Sequence, residues 1–412
     1  MCSKRLRNAR YYLSEFVRVS TRQNHHATFY FDLDDPYSTI MLPVLIEMEQ
    51  AFQISFDIQV VEPRKPEFIP EQDAQERYSL IDAGYLAQAW GLDFPNLIPN
   101  QKRLKPEALR LLLLHRNTTS EWLELATKVT DAYWHGDFSV LHKLIANEKA
   151  LDMFDVAGVL KNNTEQLYNS GYYSGSSIHY RGEWYWGLDR LYLLKNRLQK
   201  FSAQEHKALY YPDWGRVRVP SRPQDNVDMY FSFRSPYSYI AIARLMQHKN
   251  KYPIDEISFL PVLPMVTRGL PVPRAKKLFI LKDAARIAHF ENIPFGRVRD
   301  PLGDGVSSCM ALYFHAPKEQ QFDLIYKLMT DIWSLGKDVS QETYINDICK
   351  QFSIQPDKVH KSLKTKDYED NLSNNMKNLS RLGLWGVPSF SKGKLTAWGQ
   401  DRMPLVFSRA FQ

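Results

Sequence analysis

The stretch Phe29-Tyr-Phe-Asp-Leu-Asp-Asp-Pro-Tyr-Ser-Thr39 returns as Met229-Tyr-Phe-Ser-Phe-Arg-Ser-Pro-Tyr-Ser-Tyr239, a displacement of 237 − 37 = 200. The same displacement recurs at Thr130-Asp131 and Thr330-Asp331, and at Gly136 and Gly336. A second marker closes each copy. Glu183-Trp-Tyr-Trp-Gly-Leu-Asp-Arg190 matches Leu395-Thr-Ala-Trp-Gly-Gln-Asp-Arg402, displaced by 398 − 186 = 212. Two markers in the same order imply a duplicated domain, with a period far longer than that of a solenoid.

Working outward, each copy opens with a strand. Val227, Met229, Phe231 and Phe233 alternate with Asp228, Tyr230 and Ser232, the period of a pleated chain. Ser235 suits an N-cap and Pro236 the first helical position, where a missing N–H costs nothing. Ile257-Ser-Phe259 reads as a second strand, with Ile54-Ser-Phe56 as its counterpart. Leu278, Leu281, Ala285 and Ala288 form one helical stripe. Phe322, Ile325, Met329 and Ile332 form another, which predicts Gly336 as its C-cap. Trp122, Leu125, Val129 and Ala132 repeat the pattern before Gly136.

A hairpin and a helix close each half. Val387-Pro-Ser-Phe390 reads as a strand, Lys392-Gly393 as a turn and Leu395 to Trp398 as the return strand. Asp401 is placed to cap the last helix, with Pro404 in its first turn. The expected fold class is α/β: two tandem domains, each a mixed sheet with a helical insertion. The predicted segments are a basic N-terminal helical arm at 1–27 and a degenerate domain at 28–200, then a proline-bearing linker at 201–225 and a second domain, with the active site, at 226–412.

The bulk composition fits. A chain of 412 residues, 44% apolar and 24% charged, suits two ordinary cores. No apolar run is long enough to cross a bilayer, and no secretory signal is evident, so a cytoplasmic location is expected and no membrane partner. Cys2, Cys309 and Cys349 are too few and too scattered for a disulfide scaffold or a zinc cluster. Cys309 reads as a buried, inert thiol, a reactive one being the alternative. The histidines lack ligand spacing, so no metal is expected. The net charge of +7 is interspersed with acids, which argues against a nucleic-acid partner and for a mild attraction to small anions. In the arm, Lys4, Arg5, Arg7 and Arg10 lead into Leu13, Phe16 and Val17 at helical spacing. This reads as a helix docked on the body or on a partner subunit, with an Arg-rich transit peptide as the alternative.

Three segments together carry a resemblance. Phe231-Ser-Phe-Arg-Ser-Pro-Tyr-Ser-Tyr239, Trp385-Gly-Val-Pro-Ser-Phe390 and Trp398-Gly-Gln-Asp-Arg402 resemble the 2-hydroxychromene-2-carboxylate isomerases. Those enzymes stand with the kappa-class glutathione transferases, inside the DsbA-like branch of the thioredoxin fold. The resemblance covers residues 226–412 well and 28–200 more loosely. It implies glutathione as the cofactor. Ser235 would hydrogen-bond the glutathione sulfur, which fits a hydroxyl donor at a positive helix end favouring the thiolate. An ordinary N-cap worth about 1 kcal/mol is the plainer role, and the two are compatible.

The resemblance further implies a cis Val387-Pro388 bond that presents the Val387 backbone to the cysteinyl part of glutathione, a trans turn proline being the alternative. It implies that Gln400 and Asp401 hold the γ-glutamyl end; Asp401 as a plain cap is the alternative. Tyr237, in the same motif, and Arg268, as an anion contact, complete the predicted cofactor set. Met265-Val-Thr-Arg-Gly269 occupies the region where the family commonly has an asparagine that reaches the active site, and this sequence has none there.

The first copy lacks these devices. Asp35 replaces the serine and Gly175-Ser176 replaces Val387-Pro388. A carboxylate about 4 Å from a thiolate repels it by about 4 kcal/mol at an effective dielectric of 20, equivalent to about three pKa units.

The sequence therefore reads as a glutathione-dependent cis–trans isomerase acting on an aromatic or conjugated acid. A kappa-like glutathione transferase and a non-catalytic adaptor are the alternatives. A homodimer, or an intramolecular pseudo-dimer of the two halves, is the expected arrangement. A disulfide oxidoreductase is the least favoured reading, because Ser235-Pro-Tyr-Ser238 has no cysteine.

Overall fold

The computed structural model describes residues 3–95, 104–114, 118–146, 155–200 and 226–407. The predicted linker at 201–225 lies outside the described residues. The chain divides into two compact units, one of Asn8–Tyr211 and one of Met1–Arg7 with Pro212–Gln412.

Helix α1 (Lys4–Ser20) enters the first unit at Asn8 and leads to β1 (His25–Phe31), α2 (Pro36–Phe52) and β2 (Ile54–Val60). Five helices follow: α3 (Gln72–Trp90), α4 (Lys105–Leu113), α5 (Thr119–His135), α6 (Phe138–Ala146) and α7 (Val156–Asn169). The hairpin β3 (Ser177–Tyr180) and β4 (Glu183–Trp186) then leads to α8 (Leu191–Gln199). β1 already contains His25, His26 and Ala27, which the sequence reading assigned to the arm.

The second unit follows the same order: β5 (Val227–Phe231), α9 (Pro236–Gln247) and β6 (Ile257–Pro261). Its helices are α10 (Arg274–Phe290), α11 (Asp304–His315), α12 (Gln321–Trp333), α13 (Glu342–Gln351), α14 (Pro356–Thr365) and α15 (Glu369–Arg381). The hairpin β7 (Ser389–Lys392) and β8 (Leu395–Trp398) precedes α16 (Met403–Phe407).

The two sheets share one strand order, β2-β1-β3-β4 and β6-β5-β7-β8. In each, the first two strands are parallel and the hairpin is antiparallel. The registers correspond as well. Phe29 lies opposite Ile58 and Ile178, and Met229 lies opposite Phe259 and Phe390, so Phe259 answers in space to Ile58 and not to its expected counterpart Phe56, which lies opposite Ala27. Helices cover the apolar strands: Phe231, Phe233, Tyr239, Ile325, Met329 and Ile332 are all fully buried.

Three local expectations shift. Gly136 caps α5 in the left-handed conformation as predicted, but Gly336 does not cap α12, which ends at Trp333 with Ser334 after it. The cause is tertiary. The N–H groups of Gly296 and Arg299 take the carbonyls of Trp333 and Ile332, so the helix end is already satisfied. Strand β7 begins at Ser389, beyond Pro388, which has no N–H to give a ladder, and the turn is Gly393-Lys394. Asp401 sits within the short 3₁₀ turn Gln400–Arg402, one residue ahead of the position directly before α16, and its Oδ1 accepts from Gln400 Nε2.

Candidate functional site

Ser235 ends the turn that links β5 to α9. Its backbone is extended (φ −102°, ψ 113°), and its Oγ accepts the Ser238 N–H at 3.1 Å. Pro236 follows at the first helical position. The hydroxyl is therefore held at the positive end of a 12-residue helix. It also donates to the Val387 carbonyl at 3.3 Å, so α9 and the Val387-Pro388 loop face each other across one hydroxyl. Both Ser235 and Val387 are half-buried.

That loop is fixed from several sides. The Val387-Pro388 bond is cis. The Gly399 N–H donates to the Pro388 carbonyl at 2.8 Å, and Ser389 Oγ donates to the Gly386 carbonyl at 2.8 Å. Arg268 Nη2 donates to the Trp385 carbonyl at 2.7 Å. A Cβ at Gly386 would stand 2.3 Å from Trp398 Nε1. Only glycine admits that approach.

The structure thus brings Ser235 against Val387, and Pro388 against Gly399, the residue before Gln400 and Asp401, with Arg268 bonded to the Trp385 carbonyl. Tyr237 is turned elsewhere. Its hydroxyl donates to Asp283 Oδ2 on α10 at 2.8 Å, and Arg286 holds the other carboxylate oxygen at 2.7 Å. The first unit repeats this pairing, with Tyr37 and Tyr78 both donating to Asp82. A pair present in both halves speaks for a packing role at Tyr237 beside the predicted one.

Gln400 rests on a feature the sequence reading missed. Arg244, on α9, is 1% exposed and forms a bidentate pair with Glu291, both contacts 2.6 Å. Its remaining arm donates to the Gln400 carbonyl at 2.7 Å. The counterparts in the first half are Val44 and Gly91, displaced by 200 in both cases. Gly91 caps α3 just as Glu291 caps α10. The signal was an arginine among Ile240, Ala241, Ile242, Ala243 and Leu245, where a soluble helix keeps its core face. Gln400 Oε1 is buried and has no hydrogen-bond partner among the described residues.

Arg234, beside Ser235, also escaped notice. Its Nε and Nη2 reach both oxygens of Asp300 at 2.7 Å. Burial works against the Asp300 charge, but the Arg234 hydrogen bond and charge hold the carboxyl below its usual range. At the equivalent place the first half has Asp34, paired with Lys105 and accepting from Tyr133 Oη at 2.7 Å. The contact survives with its polarity reversed.

The first half is closed differently. Asp35 caps α2, its Oδ1 accepting the Tyr37 N–H at 3.1 Å. Its Oδ2 is buried, with Arg64 Nη2 at 3.9 Å and no direct hydrogen bond. Asp32 stands where the second half has Ser232 and packs on Gly175, where a Cβ would lie 2.5 Å from the Asp32 Cβ. The Gly175-Ser176 bond is trans. Burial pushes the Asp35 carboxyl up, against the pull of Arg64. Burial, then the charges of Asp35 and Asp34, push Asp32 from an ordinary 3.8 up to about 8.

A carboxyl that binds its proton more tightly folded than unfolded favours the native state at low pH. Stability is then lost as pH rises through the window between 3.8 and about 8. Thermal unfolding of the chain at pH 5 and pH 8 should therefore show the first unit less stable at the higher pH. Asp32→Asn, which keeps the acceptor used by the Asp34 N–H at 3.0 Å, should remove more than about 1 kcal/mol of that difference. An unchanged pH profile would show that Asp32 is not the group responsible.

Cys309 is fully buried, and burial together with the Asp331 charge pushes its thiol up. It is no nucleophile. Among the described residues, no group of histidine, cysteine, aspartate and glutamate could hold a metal ion, and no helix is long and apolar enough to cross a membrane.

Residues 226–410 match the DSBA-like thioredoxin domain family. The chain matches no curated protein. Among solved structures it is similar to a 2-hydroxychromene-2-carboxylate isomerase, with 19% identity over 44% of this chain and 91% of that one (TM-score 0.37). It is similar to a probable DsbA oxidoreductase of Streptomyces coelicolor, with 16% identity over 46% and 88% (TM-score 0.36). It is also similar to the cytosolic disulfide reductase DsbM of Pseudomonas aeruginosa, solved with GSH, with 12% identity over 42% and 88% (TM-score 0.33). At such distances these likenesses carry no functional weight. With a parallel pair, a helical insertion and a closing antiparallel hairpin behind the helix that Ser235 caps, residues 226–410 are a DSBA-like thioredoxin domain.

Proposed function

We propose that the second domain binds glutathione as its thiolate and uses it for cis–trans isomerisation of a conjugated acid. The observation that carries this reading is the Ser235 hydroxyl, held between the N-terminus of α9 and the Val387 carbonyl with no cysteine in Ser235-Pro-Tyr-Ser238. A hydroxyl bond to a charged partner is worth about 1.5–3 kcal/mol, and a helix N-terminus adds about 0.3–1 kcal/mol. Together they favour a thiolate over a thiol by about one to three pKa units.

In this scheme the Ser235 hydroxyl leaves Val387 and points to the sulfur. Val387 and Pro388 line the cysteinyl part, and Gln400 and Asp401 receive the γ-glutamyl ammonium. The thiolate adds to the alkene, and its electron pair moves to the conjugated carbonyl. The new single bond rotates. Collapse of the enolate restores the double bond and expels the thiolate. The protein needs no redox-active residue. Addition without expulsion, as in a transferase, uses the same groove.

We also infer that the two units are a tandem duplication whose first copy lost its site. Equal strand order, equal register and the repeated Tyr–Asp pair support this. Asp35 and Asp32 fill the first cleft. A thiolate there would force a buried carboxyl to hold its proton or repel the sulfur. Titration calorimetry of the full chain with glutathione should give one site per chain. Two equal sites would contradict the degenerate first copy, and no heat at any concentration would contradict the glutathione reading itself.

A further inference from the structure

Helix α1 is mounted inside out. The side facing the first unit is polar. Tyr11 lies under Arg197 at 4.0 Å, and Ser14 receives Arg197 Nη2 at 3.3 Å and, through its carbonyl, Arg181 Nη1 at 3.2 Å. Glu15, the helix's single carboxylate, is 8% exposed and bound by Arg18 Nε at 2.8 Å. The opposite side is apolar and open. Leu13 is 64% exposed, Phe16 71% and Val17 46%, and Leu6 continues the same face one heptad earlier at 61%. A surface helix of a soluble domain shows the reverse arrangement. Four large side chains sharing one exposed face mark a contact surface.

The charges around that face say what it meets. Arg5 and Arg10 flank it and both are exposed. No carboxylate of the helix points outward, because Glu15 is turned in. Two copies pairing through α1 would set cations against cations. A layer of anionic headgroups instead gives each cation a partner, while Leu13 and Phe16 enter the acyl boundary below.

We propose that α1 binds an anionic phospholipid surface, lying in its plane rather than crossing it. This goes beyond the glutathione reading and departs from the sequence expectation of no membrane partner, which considered spanning segments. The helical spacing announced a docked helix; only the structure shows that the apolar side is the one left open.

The test is co-sedimentation of the full chain with phosphatidylcholine vesicles, with and without about 30 mol% phosphatidylserine. Binding should be about tenfold or more tighter to the anionic vesicles and should weaken with salt. Leu13→Ser/Phe16→Ser and Arg5→Glu/Arg10→Glu should each weaken it at least about tenfold. All four side chains are exposed, so the unfolding midpoint should not move and misfolding cannot mimic the effect. Equal binding to both vesicle types, no binding to either, or variants that bind like the parent would overturn the proposal. So would a concentration-dependent dimer in sedimentation that Phe16→Ser abolishes, since the face would then belong to a second copy.

Discussion

Arg244→Met is expected to destabilise the second domain by about 3–5 kcal/mol, because it leaves Glu291 buried and unpaired. The side chains of this pair are 1% and 7% exposed, so water cannot substitute for the lost arm. For a domain of this size the unfolding midpoint should fall by roughly 10 °C. The cause is separable from packing. Arg244→Met/Glu291→Gln removes both charges and nearly keeps the volume, so it should recover more than half of the loss, as buried pairs replaced together usually do. The first half shows that the fold tolerates this, with Val44 and Gly91 at the same places. Equal midpoints for the single and double variants would show that the pair is not electrostatically coupled. The arginine also holds the Gln400 carbonyl, so the charged pair positions the turn that carries Gln400 and Asp401.

Ser235→Asp is expected to raise the thiol pKa of bound glutathione by about three units, from a carboxylate about 4 Å from the sulfur. Aspartate caps a helix as well as serine does, and Asp35 already does so in the first half. The unfolding midpoint should therefore hold while the thiolate disappears. Ultraviolet absorbance of the thiolate against pH reads the shift directly. Ser235→Ala should give a smaller rise of about one to two units, the loss of one charge-assisted hydrogen bond. Coincident titrations for parent and both variants would remove Ser235 from the chemistry and leave it a cap.

Much of this architecture was legible because the information is local or repeated. Alternation at Val227–Phe231 and the Ser235-Pro236 start require only neighbouring residues, and the 200-residue displacement let each half check the other. What escaped depends on distant partners. Gly336 fails as a cap because residues 296–299 reach the end of α12 first. Asp401 lies inside a tight 3₁₀ turn that ends before α16, a boundary that the sequence pattern does not mark. Arg244 and Glu291 are 47 residues apart, and nothing near either one announces the other. Periodicity in α1 reveals a helix with an apolar side. Which side faces inward is decided by Arg181 and Arg197, far along the chain. The first cleft was read as electrostatically hostile through Asp35 alone. Asp32, packed on Gly175 far along the chain, went unread.

A difference map from crystals soaked in glutathione addresses the whole account at once. We expect density for one tripeptide in each chain, its sulfur within hydrogen-bond distance of Ser235 Oγ, its cysteinyl part against Val387-Pro388 and its ammonium end at Asp401. Density beside Asp35, or a second cleft that stays shut around its own side chains, would contradict it.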